Sequence, residues 1–386
     1  MESRTNLWSF FTGTRNEGKS EHKTRWETNA GILNAVQVSG MRHFGDLTIG
    51  NLLGQGTSFT VHSCVRHAPR CEGTAVAIKR PKVPKKGTAQ DVARTIYTEL
   101  LLMAHNPLRE DSNIVQILGY KWFPFEMYPS VLVENAHFGT LDHYLHMRGK
   151  FAGAEWEECH RLCLDVARAL TSVHAQGIIH SDVKPQNVLV CLPEGPHDPD
   201  AVVTARLTDF SHSNFNIGYD DSTFQLGTPL FSAPELLSTF YDSDYKARLA
   251  KEDLPKCDVW SFGLVAWCIM TCQANFFQDD WLLPPYDRPP QRLQFILSQP
   301  ADFFQSMAYR MMKNPEEFVD MPLNMRTSFA KLLKGCLEGA SCRRFSMQES
   351  SRLLDFRGYP CKLSQIIGSD CLWSADNMVI LPLILK

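Results

Sequence analysis

Residues 179–189 read Ile-His-Ser-Asp-Val-Lys-Pro-Gln-Asn-Val-Leu and bring an acid, a base and an amide within six positions. Asp182 has the carboxylate needed to accept a proton from a hydroxyl group. Lys184 can neutralise negative charge that develops on a transferring group, and Asn187 offers a side-chain oxygen to a cation. The segment therefore predicts a catalytic loop.

Two further segments suit a phosphate or a divalent cation. Asp209 follows a short predicted strand and offers a second carboxylate to Mg²⁺, a hard cation that prefers oxygen ligands. Residues 54–61 read Gly-Gln-Gly-Thr-Ser-Phe-Thr-Val, and Gly54 and Gly56 let backbone N–H groups approach phosphate oxygens. Each signal is weak alone. Most glycine-containing turns between strands are tight turns with no role in binding phosphate.

A lysine ends the apolar run Val-Ala-Ile-Lys at residues 76–79. Burying the Lys79 ammonium is costly without a partner, so an edge lysine that extends its head to solvent is the plainer interpretation. The alternative requires a carboxylate, and Glu99 lies twenty residues further on, within a predicted helix. We expect these two side chains to face each other.

The pattern of apolar residues divides the chain into a strand-rich part and a helical part. Five strands are predicted at residues 46–53, 60–67, 74–79, 114–120 and 130–134. One helix is predicted among them, at residues 92–104, and residues 44–134 therefore form a small lobe.

Beyond residue 134 the pattern is mainly helical. Apolar residues step by three and four from Trp156 to Val173, and residues 259–270 are apolar on nearly all sides, which indicates a buried helix. Residues 191–205 and 238–256 are predicted as surface insertions. A solvated insertion is the plainer interpretation of the second, and a docking element is the alternative.

Composition excludes several classes of protein. The 386 residues are 44% hydrophobic, which excludes a largely disordered chain. The net charge of -3 excludes non-specific binding to nucleic acid. Neither a signal-peptide pattern nor a membrane-length apolar run is present, which predicts a soluble, intracellular protein. The twelve cysteines lack a CxxC pair and are expected to be reduced and mostly buried.

The order of these motifs resembles the eukaryotic protein kinase family over about residues 44–355. Two more segments support the resemblance. Residues 227–235 read Gly-Thr-Pro-Leu-Phe-Ser-Ala-Pro-Glu, like the segment that closes a kinase activation loop, and residues 258–263 read Asp-Val-Trp-Ser-Phe-Gly. Arg344 resembles the late arginine that pairs with the glutamate of Ala-Pro-Glu, here Glu235.

The resemblance implies an α+β, bilobal fold with a small antiparallel sheet lobe carrying one helix and a larger, mainly helical lobe. The small lobe is assigned to residues 44–136 and the large lobe to residues 137–355. Residues 1–43 are expected to be a disordered tail, and residues 356–386 a C-terminal extension.

By resemblance, each motif takes a role in binding Mg²⁺-ATP in the cleft between the lobes. Lys79 holds the phosphates and is oriented by Glu99, Asp182 is the catalytic base, and Asn187 and Asp209 ligate Mg²⁺. The loop with Gly54 and Gly56 covers the phosphates. Adenine is expected to meet the side chains of Val61, Ala77 and Leu189, the gatekeeper Val133, and the backbone of Glu134 to Ala136.

The resemblance also implies an ATP-dependent kinase that phosphorylates serine or threonine in protein substrates. Lys184, two residues after the base, and Thr228 in the Gly-Thr motif are the Ser/Thr-kinase pattern. A cytoplasmic location is expected, with the nucleus as the alternative. A pseudokinase that acts as a nucleotide-binding scaffold is the alternative function, and a small-molecule kinase is a weaker one because Ala-Pro-Glu belongs to kinases of protein substrates.

Three positions depart from the family pattern. Phe59 replaces the third glycine of the phosphate loop, which stiffens the turn, although the ring could still fold over the phosphates. Ser181 replaces the arginine that clamps an activation-loop phosphate, and serine cannot bind a phosphate as a bidentate donor. Ser211 replaces the glycine after Asp-Phe and is expected to restrict the movement of that loop.

Overall fold

The computed structural model describes most of the region in which the motifs lie. The described residues are 40–56, 59–66, 75–82, 89–151, 155–192, 202–215, 227–241, 253–273, 276, 298–313, 318 and 321–355. Residues 1–39 of the predicted N-terminal tail, the extension 356–386 and the interiors of both predicted insertions lie outside them. The expectation of a disordered tail is wrong for residues 40–43, because Met41 is buried and His43 forms a bridge with Tyr120.

Five antiparallel strands form the sheet of the small lobe, in the spatial order β1-β2-β3-β5-β4. The strands are β1 Leu47–Gln55, β2 Phe59–Arg66, β3 Ala75–Pro81, β4 Ile117–Lys121 and β5 Ser130–Glu134. Because side chains alternate across a strand, Val76 and Ile78 pack on the outer face of β3 while Ala77 and Lys79 point to the opposite face. That opposite face belongs to the cleft.

One long helix, α1 (Ala89–Ala104), packs beside the sheet and is followed by the short α2 (Asn106–Arg109). Ile96, Leu100 and Met103 are buried on one face, as their spacing predicts. The same helix contacts the one-turn 3₁₀ helix Phe210–His212 of the large lobe. It therefore joins the small lobe to the loop that carries Asp209.

The large lobe is built from helices around a shared core. These helices are α3 Leu141–Phe151, α4 Trp156–Ala175, α5 Pro234–Tyr241, α6 Leu254–Thr271, α7 Phe303–Lys313, α8 Leu323–Cys336 and α9 Met347–Leu354. The predicted stripe of α4 is buried from Cys159 to Val173, and α6 is buried on all sides from Cys257 to Met270. The expected bilobal α+β architecture is confirmed.

Two short hairpin-like sheets position the loops that carry the motifs. Strand β6 (Ile178–Ile179) pairs with β9 (Asn214–Phe215), and β7 (Val188–Cys191) pairs with β8 (Thr204–Leu207). The predicted catalytic loop runs between β6 and β7, and the Asp209 loop runs between β8 and β9. Pairing of the four strands therefore brings the two loops together.

Several predicted boundaries differ from the structure. Residues 114–116 precede β4, because the backbone at Ile114 forms an isolated bridge with Leu207 of β8 and pairing with β5 begins only at the Gln116 carbonyl. Val203 and Ala205 are fully buried beside β7, so the first predicted insertion is shorter than 191–205. The second is shorter than 238–256, because α5 ends at Tyr241 and α6 begins at Leu254.

The described residues bear on two further expectations. None of their helices combines the length and the apolar character required to span a membrane. The nine described cysteines are reduced thiols and seven of them are buried, as expected. Nor do the described ranges contain a group of three or more His, Cys, Asp or Glu side chains arranged to hold a metal ion.

Candidate functional site

Lys79, Glu99 and Asp209 meet at the boundary between the lobes. The Lys79 ammonium donates hydrogen bonds to Glu99 Oε1 and, at 2.9 Å, to Asp209 Oδ1. Lys79 and Glu99 are buried, so the partner expected for the lysine from its position on an apolar strand is present. β3, α1 and the Asp209 loop each supply one of the three side chains.

Charge pairing keeps Lys79 and Asp209 ionised in spite of burial. Burial alone would lower the pKa of Lys79, but Asp209 and then Glu99 raise it above its ordinary value. Burial likewise opposes ionisation of Asp209, but the Lys79 ammonium holds the pKa of that carboxyl well below its usual range. The cleft thus contains a lysine that stays cationic beside an aspartate that stays anionic.

Asp182 is held by donors on both of its carboxylate oxygens. Its Oδ1 accepts from the Thr228 backbone N–H at 2.7 Å, and its Oδ2 accepts from Asn187 Nδ2 at 2.9 Å. The Lys184 ammonium lies 2.8 Å from the same Oδ2. Burial tends to raise the pKa of Asp182, but Lys184 more than offsets it, so the pKa is lowered and the side chain is a carboxylate at neutral pH.

Lys184 and Thr228 form a second contact beside this carboxylate. Lys184 Nζ donates to Thr228 Oγ1 at 2.6 Å, so the motif residues from both loops share one network. The close approach depends on Gly227, since a Cβ there would lie 2.7 Å from Asp182 Oδ1 and would overlap the Ser181 carbonyl. Sequence analysis did not assign this packing role to Gly227.

Asn187 is positioned so that its amide oxygen is the atom available to a cation. The Asn187 amide nitrogen donates both to Asp182 Oδ2 and to the Asp182 carbonyl, at 2.9 and 2.8 Å. The Thr208 N–H donates to the Asn187 carbonyl at 3.0 Å, which places the backbone of the Asp209 loop beside this residue. The two predicted metal ligands therefore lie on adjoining backbone segments.

Asp258 positions the backbone of the catalytic loop, a role that sequence analysis missed. Its Oδ2 accepts from the His180 N–H at 2.8 Å and its Oδ1 from the Ser181 N–H at 2.9 Å. His174 Nε2 lies 2.9 Å from the same Oδ2. Asp258 is buried on α6, so this helix fixes the backbone just before Asp182.

His180 links the two loops through its ring. Its Nδ1 accepts from the Asp182 N–H at 3.3 Å, and its Nε2 lies 3.0 Å from the Thr208 carbonyl. Burial lowers the pKa of His180, so the ring is neutral with its proton on Nε2. The ring therefore joins the backbone before Asp209 to the backbone of Asp182.

Ser181 has a left-handed backbone, with a φ of 66°, in the position where the family pattern has arginine. Asn214 Nδ2 donates to Ser181 Oγ at 2.8 Å and to the His212 carbonyl at 2.9 Å. Asn214 is buried on β9. A neutral hydrogen bond therefore joins the strand after the Asp209 loop to the catalytic loop.

The Asp-Phe-Ser segment adopts an ordinary conformation at its serine. Asp209 has the unusual backbone, with a φ of 66°, whereas Ser211 lies in the 3₁₀ helix Phe210–His212, which any L residue can form. Ser211 Oγ lies 3.0 Å from His212 Nδ1. His212 Nδ1 in turn lies 4.0 Å from Asp182 Oδ2 and adds a titratable group that sequence analysis did not consider.

The predicted adenine-contact residues lie on the cleft side of the structure. Val61 is opposite Lys79, and Ala77 is opposite Val133, in the strand register of the sheet. Val61 and Leu189 are half-buried and pack against the main core. Gly54 lies in β1 opposite Val61, and Gly56 directly follows that strand. Among the described residues, a Cβ at Gly54 would meet no atom within 4 Å, and one at Gly56 would meet only the Phe59 carbonyl oxygen at 3.9 Å.

The segment Glu134–Ala136 is partly engaged in internal hydrogen bonds. The Glu134 N–H donates to the Gln116 carbonyl at 3.1 Å, and the Ala136 carbonyl accepts from Gly139 at 3.3 Å. The Glu134 side chain pairs with Arg206 on β8. The Glu134 N–H and the Ala136 carbonyl are therefore already used within the fold.

The predicted pair of Arg344 and Glu235 is present. Arg344 Nη1 and Nη2 donate to the two carboxylate oxygens of Glu235, at 2.5 and 2.8 Å. Arg344 also lies over the ring of Trp260, 5.1 Å from its centroid. This bidentate pair joins α5, which begins within the Ala-Pro-Glu motif, to the end of the large lobe.

The comparisons with known proteins agree on one family. The sequence model of the protein kinase domain matches residues 47–352. Calcium-dependent protein kinase 4 of Solanum tuberosum is 27% identical over 60% of this chain and 36% of its own length. Serine/threonine-protein kinase unc-51 of Caenorhabditis elegans is 28% identical over 58% of this chain and 24% of its own length.

A third relative, serine/threonine-protein kinase ULK3 of Homo sapiens, is 28% identical over 58% of this chain and 41% of its own length. The chain thus spans less than half of the length of each of these curated relatives. The domain match covers both lobes and every motif described above. The chain belongs to the protein kinase domain family.

Proposed function

We propose that this protein is an ATP-dependent protein kinase, which transfers the γ-phosphoryl group of Mg²⁺-ATP to serine or threonine hydroxyls of protein substrates. One observation carries the proposal: the cluster of Lys79, Glu99 and Asp209 lies beside the loop of Asp182, because the strands β7 and β8 that lead from and to these loops are paired. Phosphate binding and hydroxyl activation both have their residues in this cleft.

In the proposed reaction Asp182 orients the acceptor hydroxyl and accepts its proton. The lowered pKa of Asp182 keeps it ionised, and the donors on both oxygens fix its direction. Lys184, 2.8 Å from that carboxylate, supplies positive charge near the transferring group. Catalysis of phosphoryl transfer depends mainly on such positioning and charge neutralisation.

The residues present suit Mg²⁺, which would neutralise charge on the phosphates when bound. Asn187 and Asp209 offer one amide oxygen and one carboxylate, an all-oxygen set of the kind this cation prefers. Mg²⁺ usually takes only one or two protein ligands together with phosphate oxygens and water, so a cluster of several carboxylates is not required. Asp209 is anionic, which favours a cation beside it.

The choice of serine and threonine rests on the Lys184–Thr228 contact and on the relatives. Lys184 Nζ donates to Thr228 Oγ1 at 2.6 Å, beside Asp182. The unc-51 and ULK3 relatives are named serine/threonine-protein kinases.

The second candidate function is a nucleotide-binding scaffold without transfer, and a buried Phe59 beside Lys79 is the observation that favours it. A cytoplasmic location remains our proposal.

Nucleotide binding is expected to stabilise the protein, and Mg²⁺ should increase that stabilisation. A ligand at 100 times its Kd adds about 2.7 kcal/mol to the free energy of unfolding, so the gain is visible as a rise in Tm. The Mg²⁺-dependent part of the gain should disappear in Asp209→Asn, which removes the anionic ligand. Thermal unfolding with ATP, with and without Mg²⁺, measures both parts.

Asp355→Asn provides the matched control, since Asp355 is 42% exposed and pairs with Arg168 on the surface. This variant should retain the full Mg²⁺ increment. An equal Mg²⁺ increment in Asp209→Asn and wild type would contradict the metal site. Failure of wild type to respond to ATP under any condition would contradict nucleotide binding itself.

Transfer is expected to be independent of phosphorylation in the segment 216–226. The Asn214–Ser181 hydrogen bond is neutral and presents no cation to a phosphate, unlike an arginine clamp. Ser222 and Thr223, which lie outside the described residues, can therefore be changed together to alanine without loss of transfer. Initial rates of the double variant test this, and loss of activity with an unchanged circular dichroism spectrum would show the expectation to be wrong.

A further inference from the structure

Phe59 points into the cleft instead of lying above it. It begins β2 directly after the glycine turn, is 4% exposed and belongs to the main hydrophobic core. The Lys79 ammonium lies 4.3 Å from the centroid of its ring. The ring therefore lies beside the lysine that is proposed to hold the phosphates.

Strand register explains the direction of the ring. In the β2–β3 pair Phe59 lies opposite Pro81 and Val61 lies opposite Lys79. Residues two apart on a strand share one face, so Phe59 and Val61 project to the same side of the sheet as Lys79. A glycine at position 59 would leave this space empty, whereas phenylalanine fills it.

Two hydrogen bonds hold the backbone of Gly56. The Gly56 N–H donates to the Phe59 carbonyl at 2.9 Å. Lys82 Nζ donates to the Gly56 carbonyl at 2.5 Å. Gly56 is therefore held close to the beginning of β2 and to the residue that follows β3.

Lys79 is contacted from three directions in this arrangement. An ammonium has three N–H donors, and two of them are used by Glu99 and Asp209. The face of the Phe59 ring takes a further side of the ammonium in a cation–π contact. A phosphate oxygen can reach Lys79 from the glycine turn only if this ring moves.

We propose that Phe59 determines the affinity of the cleft for the phosphates of a nucleotide, because its ring occupies the space between the glycine turn and Lys79. The inference rests on the proposed nucleotide site. The nucleoside part of the ligand binds elsewhere in the cleft, near Val61 and Ala77, and does not compete with the ring. Phosphates displace the ring from Lys79, so their contribution to binding is reduced by the cost of that displacement.

The test compares adenosine with Mg²⁺-ATP on the full chain, by calorimetric titration of wild type and Phe59→Gly. Mg²⁺-ATP is expected to bind the variant about tenfold more tightly, roughly the factor that a desolvated cation–π contact represents. Adenosine, which has no phosphate, should bind both proteins equally. If Phe59→Gly does not fold, Phe59→Ala retains a Cβ in the strand and carries the same expectation.

Phe123→Ala is the matched control, because the Phe123 ring packs on the outer face of the same sheet beside Arg80 and Lys121. It should leave the ratio of the two affinities unchanged. Equal changes for adenosine and ATP in the Phe59 variant, or no change for either, would overturn the inference while leaving the nucleotide site intact. Absence of binding of either ligand to any variant would overturn the proposed function and the inference together.

Discussion

Replacement of Asp182 by asparagine is expected to lower the rate of phosphoryl transfer by about 10²–10⁴-fold, the usual contribution of a positioned general base. Asparagine has nearly the same shape but cannot accept a proton. In the structure Asp182 is ionised, and Thr228, Lys184 and Asn187 fix its orientation. Lys79, the lysine proposed to hold phosphate, pairs with other carboxylates. The loss should therefore fall on kcat, with the KM for ATP little changed.

Initial rates as a function of ATP concentration measure this effect. Asp165→Asn is the matched control, since Asp165 is a buried aspartate on α4 that accepts a hydrogen bond from the Ala205 N–H at 3.0 Å. Burial raises the pKa of Asp165 to about 6, so neutralising this carboxyl costs less than neutralising Asp182, whose pKa is lowered, and the amide variant should retain activity. An Asp182→Asn variant with nearly wild-type kcat would contradict the assigned role.

Loss of Arg344 is expected to cause the largest loss of stability among the substitutions considered. The Arg344 side chain is fully buried, forms a bidentate pair with Glu235 and donates to the backbone carbonyls of Glu338, Lys256 and Gly339. Removal of one partner from a buried pair leaves the other charge uncompensated and costs about 3–5 kcal/mol. Arg344→Met, which retains an unbranched apolar stem, should lower the free energy of unfolding by this amount.

The neighbouring residue provides the control for this prediction. Arg343 is 71% exposed and pairs with Glu338 at the surface, where an ion pair contributes less than about 1 kcal/mol. Urea unfolding of Arg343→Met and Arg344→Met should therefore separate the two variants clearly. Similar urea midpoints for the two variants would contradict the expected contribution of the Arg344–Glu235 pair to the stability of the large lobe.

Residue patterns were sufficient to predict the architecture and most of the cleft. The apolar alternation of the first strands, the stripe of α4 and the uniformly apolar α6 all appear in the structure close to their predicted ranges. The Lys79–Glu99 and Arg344–Glu235 pairs were also predicted. The Lys79–Glu99 prediction rests on the requirement that a buried charge has an opposite partner. The Arg344–Glu235 prediction rests on the resemblance to the protein kinase family.

The features that were missed involve groups that residue type does not distinguish. Asp258 binds two backbone N–H groups of the catalytic loop, and almost any residue supplies such a donor, so the partner cannot be read from the sequence. Gly227 is needed only because Asp182 and Ser181 approach it in the folded chain. The direction of Phe59 depends on the register of β2 against β3, which a glycine-rich turn leaves open.

The most direct test of the account is transfer of label from γ-labelled ATP, with Mg²⁺, to a generic basic protein and to the protein itself, followed by identification of the labelled amino acid. The account predicts label on serine or threonine, with no label when Mg²⁺ is withheld. Label confined to a small molecule or to tyrosine, or complete absence of label while Mg²⁺-ATP still binds, would contradict it.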